Sequence, residues 1–444
     1  MITRFLGKKL SSFQIIIIGF LGLILLGTLL LILPISVKDG YSVSIEDALF
    51  TSTSAVCVTG LVVQDTATYW SGFGQAVILI LIQIGGLGIV SVAAFIAMIS
   101  GKKITLLQRS MLQDSISAHQ IGGIVKMTGF IFKIAIIIEV SGALLMLPTF
   151  CSKYGVSGIW MSVFHAVSAF CNAGFDIMGD KTGPFSSLTS FASNPRIIIP
   201  ICLLIIIGGI GFLTWEDVAV NKFHFHRYRM QSKVVIATTG ALIIVPMLFL
   251  LLFEYTGNSV KDRIFLSLFQ AITPRTAGFN TASLSSLSGA GSMLLIALML
   301  IGGSPGSTAG GMKTTTIAVL FANVSSVFWR KKSTQLFGRR IEDGTIRNAA
   351  TLFMMYLTLP MIGASVISIA ENLPIGTCIF ETVSAIGTVG LSLGITPSLS
   401  PISHLILILL MFLGRVGGLT LIYAAINSKN TDVSQRPVEK IIVG

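Results

Sequence analysis

The sequence predicts an all-α membrane protein of eight transmembrane helices, built as four helix–P-loop–helix repeats around a pseudo-fourfold central pore, where a P-loop is a re-entrant pore loop. Three observations predict it. First, 53% of the 444 residues are apolar and only 11% are charged, whereas charged residues make up about a quarter of a soluble domain. Second, long apolar runs fall near residues 13–34, 72–100, 126–149, 196–220, 234–253, 291–328, 348–370 and 402–426, most of them near or above the roughly 20 residues that cross a bilayer. Third, a semi-polar stretch recurs between each odd run and the next.

The first run follows Arg4, Lys8 and Lys9, as a signal peptide would. It is too long for a signal h-region and no small-residue cleavage site follows, so it reads as a retained membrane helix. The net charge of +12 does not imply nucleic acid, because the bases lie in short clusters between membrane runs. Alternating the loops between two sides gathers Lys102, Lys103 and Arg109, then Lys222, Arg227, Arg229 and Lys233, then Arg330, Lys331, Lys332, Arg339 and Arg340 on one face. That excess marks the cytoplasmic side and places both termini there, in a bacterial-type plasma membrane. The opposite face carries Asp47, Asp65, Asp176 and Glu381, a mildly acidic rim that concentrates cations. Cys57, Cys151, Cys171, Cys202 and Cys378 are scattered without metal-ligand spacing, and no covalent cofactor is expected.

The four semi-polar stretches read ALFTSTSAVCVTGL, SVFHAVSAFCNAGF, SLFQAITPRTAGF and CIFETVSAIGTVGL. Each starts near a phenylalanine (Phe50, Phe164, Phe269, Phe380), continues long enough for two or three helical turns, and ends at a glycine before Leu or Phe. The glycines, Gly60, Gly174, Gly278 and Gly390, recur every 105–115 residues or so, a period suited to a repeated subdomain. A second landmark follows in the next membrane run: IGGLG, IGGIG, IGGSPG and LGRVGG. The repeats are then 1–100, 101–225, 226–335 and 336–444, the last including a C-terminal tail.

Backbone that leaves helical geometry at membrane depth is tolerated only where it is buried in protein or lines a watery path. Four such segments imply one shared axis, with carbonyl oxygens replacing the hydration shell of an alkali cation. The expected ion-binding residues are Val58, Thr59 and Gly60; Asn172, Ala173 and Gly174; Thr276, Ala277 and Gly278; Thr388, Val389 and Gly390. A competing reading makes these ordinary extracellular turns; four matched copies weigh against it.

These four pore loops, with VTGL, NAGF, PRTAGFN and GTVGL, resemble those of the Trk/Ktr/HKT superfamily of potassium transporters, over nearly the whole chain. With eight membrane helices and no extra N-terminal pair, the chain is similar to the KtrB type (KtrB/KtrD-like) rather than the longer TrkH type. The resemblance implies K⁺ uptake as the ion-translocating subunit, a homodimer with one pore per subunit, and gating by a cytoplasmic nucleotide-binding (RCK-type) ring. By analogy, glycine at all four filter positions favours K⁺ over Na⁺. Na⁺ activation, Na⁺ coupling and Na⁺ transport stay open as alternatives.

The segment GGSPGSTAGGMKTT, residues 302–315, nearly spells a phosphate-binding loop. Met312 separates Gly311 from Lys313, and membrane-like runs flank the segment where a strand and a soluble helix are required. So much Gly, Ser and Pro inside an apolar span breaks the helix. The expectation is an irregular intramembrane gate made of Gly302, Gly303, Ser304, Pro305, Gly306, Ser307, Thr308, Ala309, Gly310 and Gly311. Arg415 stands where the other copies have Gly86, Gly209 and Gly303. A guanidinium at that depth faces protein or water, so Arg415 is expected to bond loop carbonyls beneath the filter and repel cations; a purely structural pairing is the competing reading. Lys313 reads as a snorkelling helix-end lysine. Glu139 reads as pairing with Lys133 or a neighbouring helix, and Arg275 with Glu381 as a brace beside the filter. An inverted-repeat carrier, a membrane enzyme and a non-transporting scaffold or receptor are the other classes; four pore-loop copies and the lack of a catalytic cluster disfavour them.

Overall fold

The computed structural model describes residues 11–101, 104–116, 123–418 and 420. Lys102, Lys103, both termini and the C-terminal tail lie outside them. The described residues are mostly helical, and among them a long helix followed by a short one recurs four times.

Four long helices stand first in their quarters: α1 (Ser12–Leu31), α6 (Ile124–Tyr154), α10 (Met230–Phe253) and α14 (Asp343–Glu371), each long and apolar enough to cross a membrane. Their exposed faces carry residues such as Leu25, Leu29, Leu145, Val245 and Ile369, which suits contact with lipid. After each comes a short helix: α2 (Ile45–Val56), α7 (Ser157–Phe170), α11 (Val260–Ile272) and α15 (Ile375–Ile386). Ser44 and Ser259 cap α2 and α11 by accepting the N–H of Asp47 and Asp262. The recurring Phe50, Phe164, Phe269 and Phe380 are at most 1% exposed and anchor these helices in the interior.

The third element departs from expectation in the first two quarters. The runs at 72–100 and 196–220 are not single helices. The first is α3 (Gly72–Leu87) followed by α4 (Ile89–Ile99), bent by 97°, and a further short helix, α5 (Leu106–Ile116), comes before α6. The second is α8 (Pro195–Gly209) followed by α9 (Phe212–Asn221), bent by 99°. In the third quarter α12 (Gly289–Leu300) and α13 (Thr314–Phe328) flank the Gly-rich segment; in the fourth, α16 (Pro401–Val416) ends at Gly417. The two bends turn on Gly88 and Gly211, whose φ values are 87° and 91°, and Gly417, where α16 ends, lies at 89°. Only glycine reaches that backbone region without strain. Hydropathy runs on unbroken through these bends, which hides them. A two-stranded hairpin, β1 (Gln335–Leu336) and β2 (Arg339–Arg340), joins α13 to α14.

The paired glycines of the second landmark serve close packing. A Cβ added at Gly85, Gly208 or Gly414 would collide with the carbonyl oxygen of Val56, Phe170 or Ile386 respectively. Each of those carbonyls ends a short helix, so glycine lets the third element of a quarter lie directly against the end of the second. The substitution Gly85→Ala is expected to lower the melting temperature of the detergent-solubilised protein, as overpacking costs about 1–3 kcal/mol. Gly22→Ala, on α1 with nothing within 4 Å of the added carbon, is expected to leave it unchanged.

Candidate functional site

The four short helices end where the chain turns out of helical geometry, and the four turns repeat one backbone pattern. Val58, Asn172, Thr276 and Thr388 lie at φ 57°, 57°, 69° and 50°, and two residues later Gly60, Gly174, Gly278 and Gly390 lie at 89°, 68°, 79° and 89°. Positive φ is a genuine outlier for β-branched residues, yet three of the four non-glycine positions are Val or Thr. Strain of that kind persists only where the surroundings over-determine it.

Hydroxyl groups supply that determination. Ser54 Oγ accepts the N–H of Gly60, and Ser384 Oγ accepts the N–H of Gly390, both at 3.1 Å. Ser168 Oγ donates to the Phe175 carbonyl at 2.7 Å and Thr273 Oγ1 to the Phe279 carbonyl at 2.6 Å. Sequence reasoning passed over these four residues. The signal was present: a hydroxyl stands six residues before each glycine, and five before it in the third, shorter copy.

The four turns meet each other in a closed circuit. The carbonyl oxygen of Ala173 abuts Gly60, that of Ala277 abuts Gly174, that of Val389 abuts Gly278 and that of Thr59 abuts Gly390. A Cβ placed on Gly278 would lie 3.1 Å from the Gly174 Cα and 3.3 Å from the Gly390 Cα. Val58, Thr59, Asn172, Ala173, Thr276, Ala277, Thr388 and Val389 are at most 1% exposed. Four helix C-termini aim the negative ends of their dipoles at this ring, a field that favours a cation. Buried in the same turns, Thr59 Oγ1, Asn172 Oδ1, Thr276 Oγ1 and Thr388 Oγ1 have no protein partner.

On one side of the ring is a cavity of about 400 Å³ lined by all four glycines together with Asp65, Asp176, Asn280 and Ser392. Burial pushes the Asp176 carboxyl up to about 6, against a stabilising bond from the Met178 N–H, and the neighbouring Asp65 adds to the rise. On the other side, a cavity of about 270 Å³ is lined by Gly306, Ser307, Ala309, Gly311, Lys313 and Arg415, among others.

Between the two lies the Gly-rich segment, and its backbone is held by the second and fourth quarters. The Gly302 N–H donates to Met312 at 2.8 Å, Ser304 to Gly209 at 2.9 Å, Thr308 to Gly208 at 3.2 Å and Gly311 to Gly414 at 3.3 Å. In return Gly306 accepts the Phe212 N–H at 2.6 Å, at the bend between α8 and α9. The segment touches the underside of the ring directly. Asn172 Nδ2 donates to Thr308 Oγ1 at 3.1 Å, and a Cβ on Gly310 would strike the Thr388 hydroxyl. Pro305 and Ser307 are half-buried; Gly303 and Ala309 are buried.

Arg415 donates to the carbonyls of Thr308 and Gly85, and to Gly86 at 3.0 Å. One acceptor belongs to the 302–311 segment and two belong to the first quarter's landmark, so Arg415 ties the segment to α3. Lys313 does not snorkel. Its ammonium turns back to the carbonyls of Ala309 at 2.8 Å and Gly310 at 3.2 Å, because the backbone there has oxygens without helical partners. Glu139 accepts from Gln83 of α3 at 2.9 Å, the neighbouring-helix alternative rather than Lys133. The brace between Arg275 and Glu381 is absent: among the described residues no ion pair joins them. Arg275 donates to Thr239 at 3.3 Å, while Glu381 accepts from Thr396.

The profile of the TrkH family, described as a cation transport protein, matches residues 9–435. The chain is similar to the potassium/sodium uptake protein NtpJ of Enterococcus hirae, 39% identical with 98% of both chains covered. It is also similar to the Ktr system potassium uptake protein B of Bacillus subtilis, 38% identical over 95% of this chain and 94% of that one. Among solved structures, the potassium transporter TrkH from Vibrio parahaemolyticus superposes with a TM-score of 0.74 at 19% identity, covering 95% of this chain and 86% of that one, which shows a shared fold. The matched turns, the shared fold and the full-length similarity agree: this chain belongs to the TrkH family of cation transport proteins.

Proposed function

We propose that the chain is the ion-translocating subunit of a Ktr-type K⁺ uptake system, built as four helix–P-loop–helix repeats with eight membrane crossings. The observation that carries this reading is the closed circuit of carbonyls from residues 59, 173, 277 and 389 on the glycines of the neighbouring turns. Backbone oxygens crowded on one axis can replace the water around a bare alkali ion. The unpartnered oxygens of Thr59, Asn172, Thr276 and Thr388 support it too, since buried acceptors left unmatched are costly and a cation would meet them. The acidic cavity outside the ring raises the local cation concentration. Two similar proteins carry names of potassium uptake.

The 302–311 segment and Arg415 then form the gate. The segment obstructs the path below the filter, and the guanidinium both anchors it and opposes cations in transit. Lys313 adds a second cationic group to the same obstruction. Movement of the segment breaks bonds to Gly208, Gly209 and Gly414 rather than covalent structure, so opening is within reach of a partner's binding energy. Control comes from a cytoplasmic nucleotide-binding ring of the RCK type acting on a homodimer, in line with the word "system" in the relatives' names. The basic segments 222–233 and 329–347 are its docking candidates. Coupling to Na⁺ is the second reading, favoured by the potassium/sodium name of the Enterococcus protein.

Flux of Rb⁺ or K⁺ into liposomes holding this chain alone tests the reading. Gly60→Ser places a side chain at positive φ against the Ala173 carbonyl; it is expected to cut K⁺ flux by roughly tenfold and raise Na⁺ permeability relative to K⁺. Unchanged flux and selectivity would refute a filter at this ring. Arg415→Gln is expected to raise flux several-fold at unchanged protein abundance, as both the barrier and the anchor are lost. A fall in abundance with unaltered flux per molecule would make Arg415 structural.

A further inference from the structure

A cavity of about 500 Å³ opens between α10 and α13. It exists because the facing positions are small: Ala237 and Ala241 on α10, Ala318 and Ala322 on α13. Both helices are apolar along these faces, so the cavity lies at hydrocarbon depth. A gap of that size between membrane helices forfeits packing along its walls, and its lining is mostly apolar, with Thr238, Ser325, Ser326 and Gln335 among the side chains. Hydrocarbon chains are the material at hand.

The mouth of the cavity has a different chemistry. Lys331 lines it and forms no ion pair among the described residues. Arg330 and Lys332 flank Lys331 in sequence, and Arg339 and Arg340 form the second strand of the hairpin that follows. Phe328 and Trp329, at the end of α13, are 81% and 76% exposed, as befits aromatic side chains at a bilayer interface. The tip of the hairpin is Phe337 and Gly338, at φ 48° and 73°. Positive φ at both positions is what a two-residue hairpin turn requires, and Phe337 lines the cavity.

We propose that this cavity is a binding site for an anionic phospholipid of the inner leaflet, with an acyl chain between α10 and α13, its phosphate at Lys331 and Phe337 closing over it. An apolar slot topped by several bases between membrane helices is the arrangement that selects such lipids. A second copy of this face is disfavoured, because two like clusters of bases would oppose each other. The inner end of the cavity reaches Thr314, whose N–H donates to Gly303 at 3.0 Å and whose hydroxyl lies 3.0 Å from that of Ser304. Occupancy therefore biases the Gly-rich segment; this consequence rests on the gate reading, whereas the binding site does not.

Native mass spectrometry on protein purified and re-lipidated with equal phosphatidylglycerol and phosphatidylcholine reads the binding without reference to transport. Wild type is expected to retain phosphatidylglycerol at least fivefold over phosphatidylcholine, roughly. Ala322→Trp, which fills the slot, is expected to retain neither, and Lys331→Gln, a surface change that leaves packing intact, is expected to retain both alike. Rb⁺ flux in vesicles containing phosphatidylglycerol should exceed that in pure phosphatidylcholine for wild type and not for Ala322→Trp. Equal retention by wild type and both variants overturns the site, as does an Ala322→Trp protein that changes only its oligomeric state or its hold on a partner. Selective retention with flux indifferent to lipid keeps the site and refutes its link to the gate.

Discussion

A backbone that abandons helical geometry inside a bilayer has no water to satisfy its carbonyls and N–H groups, and each such group left alone costs several kcal/mol. Everything distinctive here answers that constraint at four places at once. The turns at Gly60, Gly174, Gly278 and Gly390 are buried, braced by hydroxyls from their own short helices and pressed against each other through glycine. No single turn could be stable at this depth. The circuit makes each turn the wall of the next.

The same constraint explains the second layer. Beneath the ring the Gly-rich segment has little helical bonding of its own, and its N–H and C=O groups are matched instead by Gly208, Gly209, Gly414 and Phe212. Gly208 and Gly209 end α8, Phe212 begins α9 and Gly414 lies in the last turn of α16, where backbone groups lack helical partners. Broken helices thus satisfy one another across the axis. Arg415 completes the exchange by giving its donors to three carbonyls that the helices have left over. A structure held by bonds between irregular segments has more than one way to close, and this is the property a gate requires.

The fourfold recurrence of glycine after a short helix was legible from spacing, because four turns pressed this closely together leave no room for a Cβ and four copies expose the pattern. The family resemblance and the membrane class were legible for the same reason. The bends at Gly88 and Gly211 were not, since Leu87, Ile89, Ile210 and Phe212 keep hydropathy continuous where the backbone turns by nearly a right angle. Ser54, Ser168, Thr273 and Ser384 were aligned in plain view, but hydroxyls inside a short helix look generic until their partners are seen. Charged residues were hardest. Arg415 bonds the loop carbonyl of Thr308 as expected, but Lys313 bonds carbonyls whose availability depends on irregular backbone, and Arg275 and Glu381 found Thr239 and Thr396 instead of each other. Spacing along the chain says which charges could meet; only the path of the backbone says which oxygens remain unclaimed.

Crystals or frozen grids of the protein prepared in Rb⁺ or Tl⁺ test the central claim most directly, through the position of the heavy ions. Density on the axis between the carbonyls of residues 59, 173, 277 and 389, lost on exchange into Na⁺, is the expected result. A ring empty of ions at saturating Rb⁺, with ions bound elsewhere in the fold, would contradict it.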